Sequence, residues 1–560
     1  MRIMRKNPIL CIDSYKLGHI TMVPEGVETS YLNFTPRSLK HLDKIIPKEV
    51  QDDTLVAYGA RLAIKEIHEN FKQDFFALDI DEIMEEFLIE IKPFVGDNST
   101  EVIERSIRNL HALGYLPLEI KWIAEGTIVP ANTPIMTIKN THSSFAWLPG
   151  YLETYISAEF WKRATSATIA RAYRKILIKY AKETCDNTLH VDYQGHDFSA
   201  RGLSGAEDFI KNGTAHLLSF KGTDIIHSAT LIKHLYNVEN IDVIGCSVPA
   251  TEHSVMCLGS TAETEVETFR RLIKLYPRGI VSIVSDTWDF WDTITVKALE
   301  LKEDILARQE DSLGLSKLVF RPDTGNPVDV ICGLNIIKTL DVQVLGWDKL
   351  TLNEVPVQNT VYFDGNKYRW IYARCDETTG LCVEIDIDQA EYPVPEAEAK
   401  GAIECLWDIF GGSVNDKGFR VLNPKVGLIY GDSITSQRAI DICERLKAKG
   451  FASSNIVFGI GSYTYNYTTR DTLGSAIKAT YAEISGKGFD IFKAPKTDSG
   501  KNSAKGLLSV VLENNKIVTL QQCTKEQEEK GLLVVGYNSG VFSEEKPYFN
   551  EIRARAQINL

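Results

Sequence analysis

"GIVSIVSDTWDFWDTITVKALELKEDI", residues 279–305, decides the fold. Its first part is a short Val/Ile run that stops on Asp286, and its second part carries apolar residues at helical spacing. A β-branched run that ends in a polar residue and is followed at once by a helix marks a strand–loop–helix unit. The same pattern recurs in "IDVIGCS" (241–247) ahead of helical spacing over 255–275, and in "KLVFRPD" (317–323) ahead of a loop. It returns in "VGLIYGD" (426–432) ahead of "SQRAIDICERLKAKG", and in "NIVFGIG" (455–461) ahead of a polar loop. Such repetition predicts an α/β barrel or a wound parallel sheet. In barrels the functional side chains collect at the C-terminal ends of the strands. His253, Asp286, Arg321, Asp323 and Asp432 all fall at such ends, so different strands can aim them into one pocket. The competing reading makes them helix caps and turn residues.

The flanks have another texture. "LPLEIKWIAEGTIVPANTPIMTIKN" (116–140) alternates β-branched and polar residues around Gly126 and Pro130, which predicts hairpin-rich sheet. "YLETYISAEFWKRATSATIARAYRKILIKYAKE" (151–183) has helical spacing over many turns. "TVYFDGNKYRWIYARCDETTGLCVEIDIDQAEYPVPEAEAK" (360–400) has a DG turn, aromatic alternation and a TG turn, so residues 341–400 read as a β-hairpin or meander inserted between two barrel units. "TDSGKNSAKGLLSVVLENNKIVTLQQ" (497–522) starts as a basic loop and runs into hairpin strands, and the final "EIRARAQINL" reads as a docking helix. The texture divides the chain into a part over 7–185 with hairpin and helical signals, a barrel-like part over 186–460 carrying the insertion, and a part over 461–560 with a loop and hairpin strands.

The 560 residues exceed what one core usually organises. Apolar residues at 44% and charged residues at 24% are ordinary for a soluble enzyme and argue against disorder. The basic start "MRIMRKNPIL" is too short in its apolar part for a secretory signal, and no run reaches the ~20 apolar residues of a membrane span. The ten cysteines form no CxxC pair and read as reduced thiols of a cytoplasmic protein. A net charge of −13 works against nucleic acid and membrane as partners, both being polyanions. A small anion remains accessible where basic residues and backbone N–H groups converge.

The motifs supply that convergence. Within "SVPATEHSVM" (247–256), His253 is either a packed or capping residue or the centre of the chemistry. Asp286 at a buried strand end can hold an imidazole by its second nitrogen or cap the helix beginning near Trp288. "FRPDTGNP" (320–327) offers Arg321 as a phosphate fork and Asp323 as a partner for a metal, a base or a sugar hydroxyl, or forms a salt-bridged turn. "VFGIGSYTYNYTTRD" (457–471) places Gly459, Gly461 and Ser462 where backbone N–H groups reach an anion, with Arg470 beyond; it is neither a P-loop nor a dinucleotide fingerprint. "HDFSARG" (196–202) sets Phe198 to stack on a flat ring and Arg201 to touch its polar edge. An anion site, an aromatic platform and a His–Asp pair together point to transfer to or from a phosphorylated sugar or nucleotide, with Mg²⁺ carried by the phosphate.

In this order the motifs resemble the nicotinate/nicotinamide phosphoribosyltransferase family, and within it the enzymes specific for nicotinamide. The resemblance runs through "NPILCIDSYKLGH", "HDFSARG", "SFKGTD", "SVPATEHS", "VSIVSDTWD", "FRPDTGNP", "IYGD", "FGIGS", "TRDTLGSAIKAT" and "DIFKAPKTDSGKNSAKG", and covers about 7–340 and 410–560. It implies an irregular α/β barrel beside a second α+β sheet domain built from both chain termini, and a homodimer with shared active sites. It implies synthesis of nicotinamide mononucleotide for NAD salvage from nicotinamide and phosphoribosyl pyrophosphate, with Mg²⁺, and with ATP phosphorylating His253 while Asp286 holds it. By the same resemblance nicotinamide lies between Phe198 and the partner subunit's Tyr15, with Asp13 and His196 in the same motifs. Arg201 binds the ribose-phosphate end or the amide side, and Asp224 accepts from the carboxamide. Arg321, Asp323, Gly431 and Asp432 handle ribose, phosphate and Mg²⁺-pyrophosphate, and Gly461 and Ser462 cradle the 5′-phosphate. Arg470, Lys478 and Lys501 bind phosphate or pyrophosphate. Ser462, Ala476 and Gly427 depart from the family pattern, Gly427 standing where an arginine is familiar. The rival readings are a nicotinate phosphoribosyltransferase, which Asp224 disfavours by like-charge repulsion, and a non-catalytic nucleotide-binding homologue.

Overall fold

The structure, a computed structural model, describes residues 7–96, 100–239, 243–388, 393–431, 433–493, 503–543 and 545–560. Its centre is a curled parallel sheet of six strands. In spatial order they are Gly222–Thr223, Gly195–Asp197, Ile456–Ile460, Val426–Tyr430, Leu318–Arg321 and Val281–Val284. The Val281–Val284 strand is buried along its whole length. Leu318, Phe320, Val426, Leu428, Ile456 and Phe458 join it in the main core. Runs hydrophobic on both faces are what a parallel strand covered by helices requires. Helices Glu265–Leu275 and Ser436–Ala448 are two of those that cover it, the second capped by Thr435 through the N–H of Arg438.

"IDVIGCS" departs from expectation. Its described residues form no strand; Cys246 makes one parallel bridge to Gly222, and Ala250 makes another to Ser282 at the opposite edge. The segment therefore crosses the gap between the two edge strands and closes the sheet into an irregular barrel. Gly245 lies too close to Leu217 and Thr223 for a side chain, so the chain passes there as a tight crossing instead of an extended strand. The strands Gly195–Asp197 and Gly222–Thr223 carry no periodic signal; at two or three residues they are too short to hold one.

The second sheet has seven strands, all antiparallel. Their order is Lys487–Asp490, Ser475–Ile484, Val27–Pro36, Met136–Asn140, Leu118–Ile123, Leu533–Asn538 and Val541–Phe542. Strands from both ends of the chain thus share one sheet. Between the sheets runs the helix Glu153–Thr184, 32 residues long and buried on much of its surface. Its Phe160 ring lies 4.6 Å from Phe34 of the antiparallel sheet. Its Tyr173 hydroxyl donates to Ile434 O at 2.8 Å beside the barrel. Buried Arg171 donates to Ala556 O and Ile558 O, which fastens the C-terminal helix Phe549–Ala556 to the same spine. No helix of the described residues is long and apolar enough to cross a membrane.

The insertion forms a four-stranded sheet of Asn335–Ile337, Thr360–Phe363, Tyr368–Cys375 and Cys382–Ile387, with its own small core around Trp347, Ile371 and Ile385. It begins a few residues before the expected boundary, because Asn335–Ile337 pairs in parallel with Thr360–Phe363. Its two ends meet where Gly333 (φ 75°) touches Gly401 (φ 81°), backbone against backbone. A Cβ on Gly401 would run into the Gly333 nitrogen. Gly401→Ala should therefore lower stability by about 2 kcal/mol or more, from the left-handed backbone and the collision together. A shifted denaturant midpoint at unchanged slope is the measurement that checks it.

Candidate active site

The C-terminal ends of the parallel strands carry a continuous chain of contacts. It begins at His253, the first residue of the helix His253–Gly259. Its Nε2 lies 3.1 Å from Asp286 Oδ1, with 42% of the imidazole exposed against 2% of the acid. The other Asp286 oxygen accepts from Asp323 N, Thr324 N and Thr324 Oγ1, each at 2.8 Å. Burying a carboxylate is costly unless its oxygens are hydrogen-bonded, and these donors meet that requirement. Asp286 does not cap the next helix: Asp289 does, through the N–H groups of Trp291 and Asp292. Glu252 occupies the N-cap position before His253 without a capping bond, and its carboxylate accepts from the Ser254 hydroxyl.

Asp323 continues the chain. Its Oδ1 rests against Gly431 where a Cβ would collide with it. Gly459 packs as closely on the carbonyls of Tyr430 and Gly431. Glycine at these two strand ends lets the backbones approach within contact. Ile460 O accepts from Phe198 N at 2.9 Å, and Ser462 fills the space over Gly202. The Arg321 guanidinium lies 5.0 Å above the Phe198 ring and its Nη1 reaches Thr251 O at 3.4 Å. His196 lies 4.6 Å from the same ring, tilted by 37°.

His196 Nε2 then meets Asp224 Oδ1 at 2.9 Å, and Ser247 Oγ donates to the same oxygen at 2.5 Å. Burial pushes the Asp224 carboxyl up, but the His196 contact, the Ser247 hydroxyl and the Arg321 charge outweigh it and hold it below the usual carboxylate range. His253, Asp286, Arg321, Asp323, Phe198, His196, Asp224, Gly431, Gly461 and Ser462 are thus gathered at one mouth. Arg201 is exposed on the adjoining turn Ala200–Gly202. Asp432 and Lys501 lie outside the described residues.

Four other candidates lie with the antiparallel sheet. Asp13 Oδ2 accepts from Thr154 Oγ1 at 2.6 Å near the start of the long helix. Tyr15 opens the helix Tyr15–Met22 and is 61% exposed. Arg470 stands in the turn Arg470–Leu473, and Lys478 pairs with Asn33 on the Ser475–Ile484 strand. Burial lowers the Lys478 pKa; Glu153 opposes, and Arg37, Arg470 and Lys16 lower it further. Three further cations and one carboxylate therefore act on Lys478, an electrostatic excess suited to an anion. Lys16 stands inside "NPILCIDSYKLGH" with nothing to single out its ammonium, and Arg37 lies outside every quoted motif. Ser247 and Thr324 stand inside "SVPATEHSVM" and "FRPDTGNP", yet nothing local distinguishes their hydroxyls. At Gly427 the space is filled from the next strand: a Cβ there would meet Lys317 Cδ at 2.8 Å. Burial pushes that Lys317 ammonium pKa down.

The sequence profile of the nicotinate phosphoribosyltransferase (NAPRTase) family matches residues 193–533, which span every strand of this barrel together with Arg470 and Lys478. The chain belongs to that family. A protein named nicotinamide phosphoribosyltransferase from Acinetobacter baylyi is 43% identical over 559 residues, 99% of this chain and 98% of its own length. One of the same name from Mycoplasma pneumoniae is 31% identical over 507 residues, covering 89% and 94%. Among solved structures, nicotinate-nucleotide pyrophosphorylase from Pyrococcus furiosus matches with a TM-score of 0.52 at 13% identity, over 100% of this chain and 99% of that one. That likeness shows that the two chains share a fold.

The depressed Asp224 pKa has a testable sign. A carboxyl lowered on folding contributes stability that is fully present above the unfolded value, about 3.9, and is lost as pH falls through the folded one. The stability difference between the protein and Asp224→Asn should therefore hold as the pH is lowered from about 6 to about 4 and close only below that. Thermal unfolding of both proteins across that range checks this.

Proposed function

We propose that the protein transfers the phosphoribosyl group of phosphoribosyl pyrophosphate to the ring nitrogen of nicotinamide, and that ATP drives the reaction through phosphorylation of His253. The observation that carries the base assignment is Asp224. His196 and Ser247 both engage its Oδ1, which orients the carboxylate and leaves Oδ2 as the oxygen we assign to the carboxamide N–H₂. Nicotinate would bring a second negative charge to that oxygen. The names of the Acinetobacter and Mycoplasma relatives support the same base.

The remaining residues follow from charge and reach. Neutral nicotinamide needs orientation more than deprotonation, and Phe198 supplies one face of the stack. Tyr15 of the same chain opens the helix Tyr15–Met22, away from the barrel mouth, so we assign the second face to the Tyr15 of a second subunit in a homodimer. Asp13, Arg470 and Lys478 accompany it, and the cation excess around Lys478 supports a pyrophosphate or phosphate there. Backbone N–H groups at Gly461 and Ser462 take the 5′-phosphate, with Arg201 and Lys501 beside the substrate. Arg321 stabilises the departing charge while C1 of the ribose gains oxocarbenium character. Mg²⁺ belongs to the pyrophosphate, and Asp323 and Asp432 are the acids assigned to it.

His253 Nε2 is held by Asp286, so Nδ1 is the nitrogen we assign to the phosphoryl group. The γ-phosphoryl moves from ADP oxygen to Nδ1, ADP departs, and water later releases phosphate. The exposure of the imidazole beside a fully buried acid supports this role over a packed histidine.

The protein incubated with nicotinamide, phosphoribosyl pyrophosphate, Mg²⁺ and ATP should yield nicotinamide mononucleotide, and less of it when ATP is omitted. Absence of product with nicotinamide and with nicotinate alike would defeat the enzyme reading. Asp224→Asn should reduce the preference for nicotinamide over nicotinate at least tenfold, about 1.4 kcal/mol of discrimination, read as a ratio of kcat/KM values. Unchanged preference would remove Asp224 from the base site. With γ-labelled ATP, His253→Ala should incorporate no acid-labile phosphate while some uncoupled synthesis continues.

A further inference from the structure

The insertion holds two thiols that the transferase reading does not use. Cys375 ends the strand Tyr368–Cys375, Cys382 begins the strand Cys382–Ile387, and the two are direct partners in the antiparallel register. All ten cysteines are free thiols in this structure. Opposed residues of an antiparallel pair have Cα atoms about 4.5–5.5 Å apart, inside the ~4.4–6.8 Å that a disulfide accepts. Both residues pack on the same small core as Trp347, Ile371 and Ile385, so their side chains leave the sheet on one face.

The turn between them is fixed. Asp376 Oδ1 accepts from Thr378 N at 3.0 Å, Thr379 N at 2.8 Å and Thr379 Oγ1 at 3.0 Å. Gly380 N donates to Asp376 O, and Asp376 N donates to Leu381 O. The far strand is anchored as well, since Cys382 N donates to Leu350 O. A register shift between Arg374 and Cys375 ends the regular ladder at the cysteine pair. The two sulfurs are therefore held opposite one another without depending on a flexible loop.

We propose that Cys375 and Cys382 form a reversible thiol–disulfide site that closes the tip of the inserted sheet in response to a low-molecular-weight disulfide. Cys375 is only partly buried while Cys382 is 1% exposed, so exchange starts at Cys375. The Cys375 thiolate attacks one sulfur of the small disulfide, whose other half leaves as a thiolate and takes up a proton. Cys382, having given its proton to water, then attacks Cys375 Sγ in the mixed disulfide and expels the second half as a thiol. Two cysteine thiols lose two electrons and two protons, and the small disulfide is reduced to two thiols.

The test uses the full-length protein with oxidised glutathione as the probe, followed by alkylation and peptide mapping. The expected result is the loss of two alkylatable thiols, both in the peptide spanning 375–382, with no glutathione retained and both thiols restored by dithiothreitol. Cys382→Ser should instead retain one glutathione on Cys375, and Cys375→Ser should leave Cys382 alkylatable. Either of two outcomes on the unmutated protein overturns the proposal. One is that both thiols stay alkylatable or Cys375 keeps its glutathione. The other is that the disulfide maps to a different cysteine. Neither outcome depends on whether a variant folds.

Discussion

Burying a carboxylate is costly unless its oxygens meet donors, and Asp286 imposes that requirement on the whole mouth of the barrel. Its donors come from two places far apart in sequence: the turn after Arg321 and the first residue of the helix at His253. Satisfying one side chain thereby fixes the distance between adjacent strand ends. The close contacts of Asp323 with Gly431, and of Gly459 with the Tyr430 and Gly431 carbonyls, carry that spacing across to the next two strands. Removing a single donor leaves the others to hold the charge, whereas removing the acid strands an imidazole and three polar donors at once.

The crossing segment gives the site its two-part character. Residues 246–253 bridge the edges of the curled sheet, place Ser247 against Asp224 on one side, and present His253 to Asp286 on the other. The Asp224 end and the Asp286 end of the site therefore share one short piece of backbone. A change in its path at Pro249 would be felt at both, which offers a direct physical route for coupling between them.

What could be read beforehand was what local pattern encodes. The β-branched runs ending at Asp286, Arg321, Gly431 and Gly461 announced four of the six barrel strands, and the helical spacing after residue 151 announced the spine. Convergence of those ends permits a contact between His253 and Asp286 but leaves a helix cap open for the acid; the resemblance to the family implies the pairing, and the structure shows the contact. The strands at Gly195 and Gly222 leave no sequence trace because two or three residues hold no period, and the described part of "IDVIGCS" forms a tight crossing at Gly245 where its pattern predicts a strand. Lys16, although beside Tyr15 in a quoted motif, and Arg37 act on Lys478 only through tertiary packing, which no local pattern encodes. The hydroxyls of Ser247 and Thr324 acquire meaning only from the carboxylates that they meet.

The antiparallel sheet carries a cost in time. Val27–Pro36, Met136–Asn140 and Leu118–Ile123 pair among themselves early in synthesis, but the outer edges of that meander are completed by Ser475–Ile484 and Leu533–Asn538. The Thr29–Glu483 contact spans 454 positions. Until the ribosome has delivered nearly the entire chain, two strand edges remain open as templates for other chains. Such high contact order makes docking of the C-terminal strands a slow event in assembly. A product terminated before Ser475 would still contain all six barrel strands, yet leave both edges of the other sheet exposed. Truncation should therefore yield an associating protein before it yields an unfolded one.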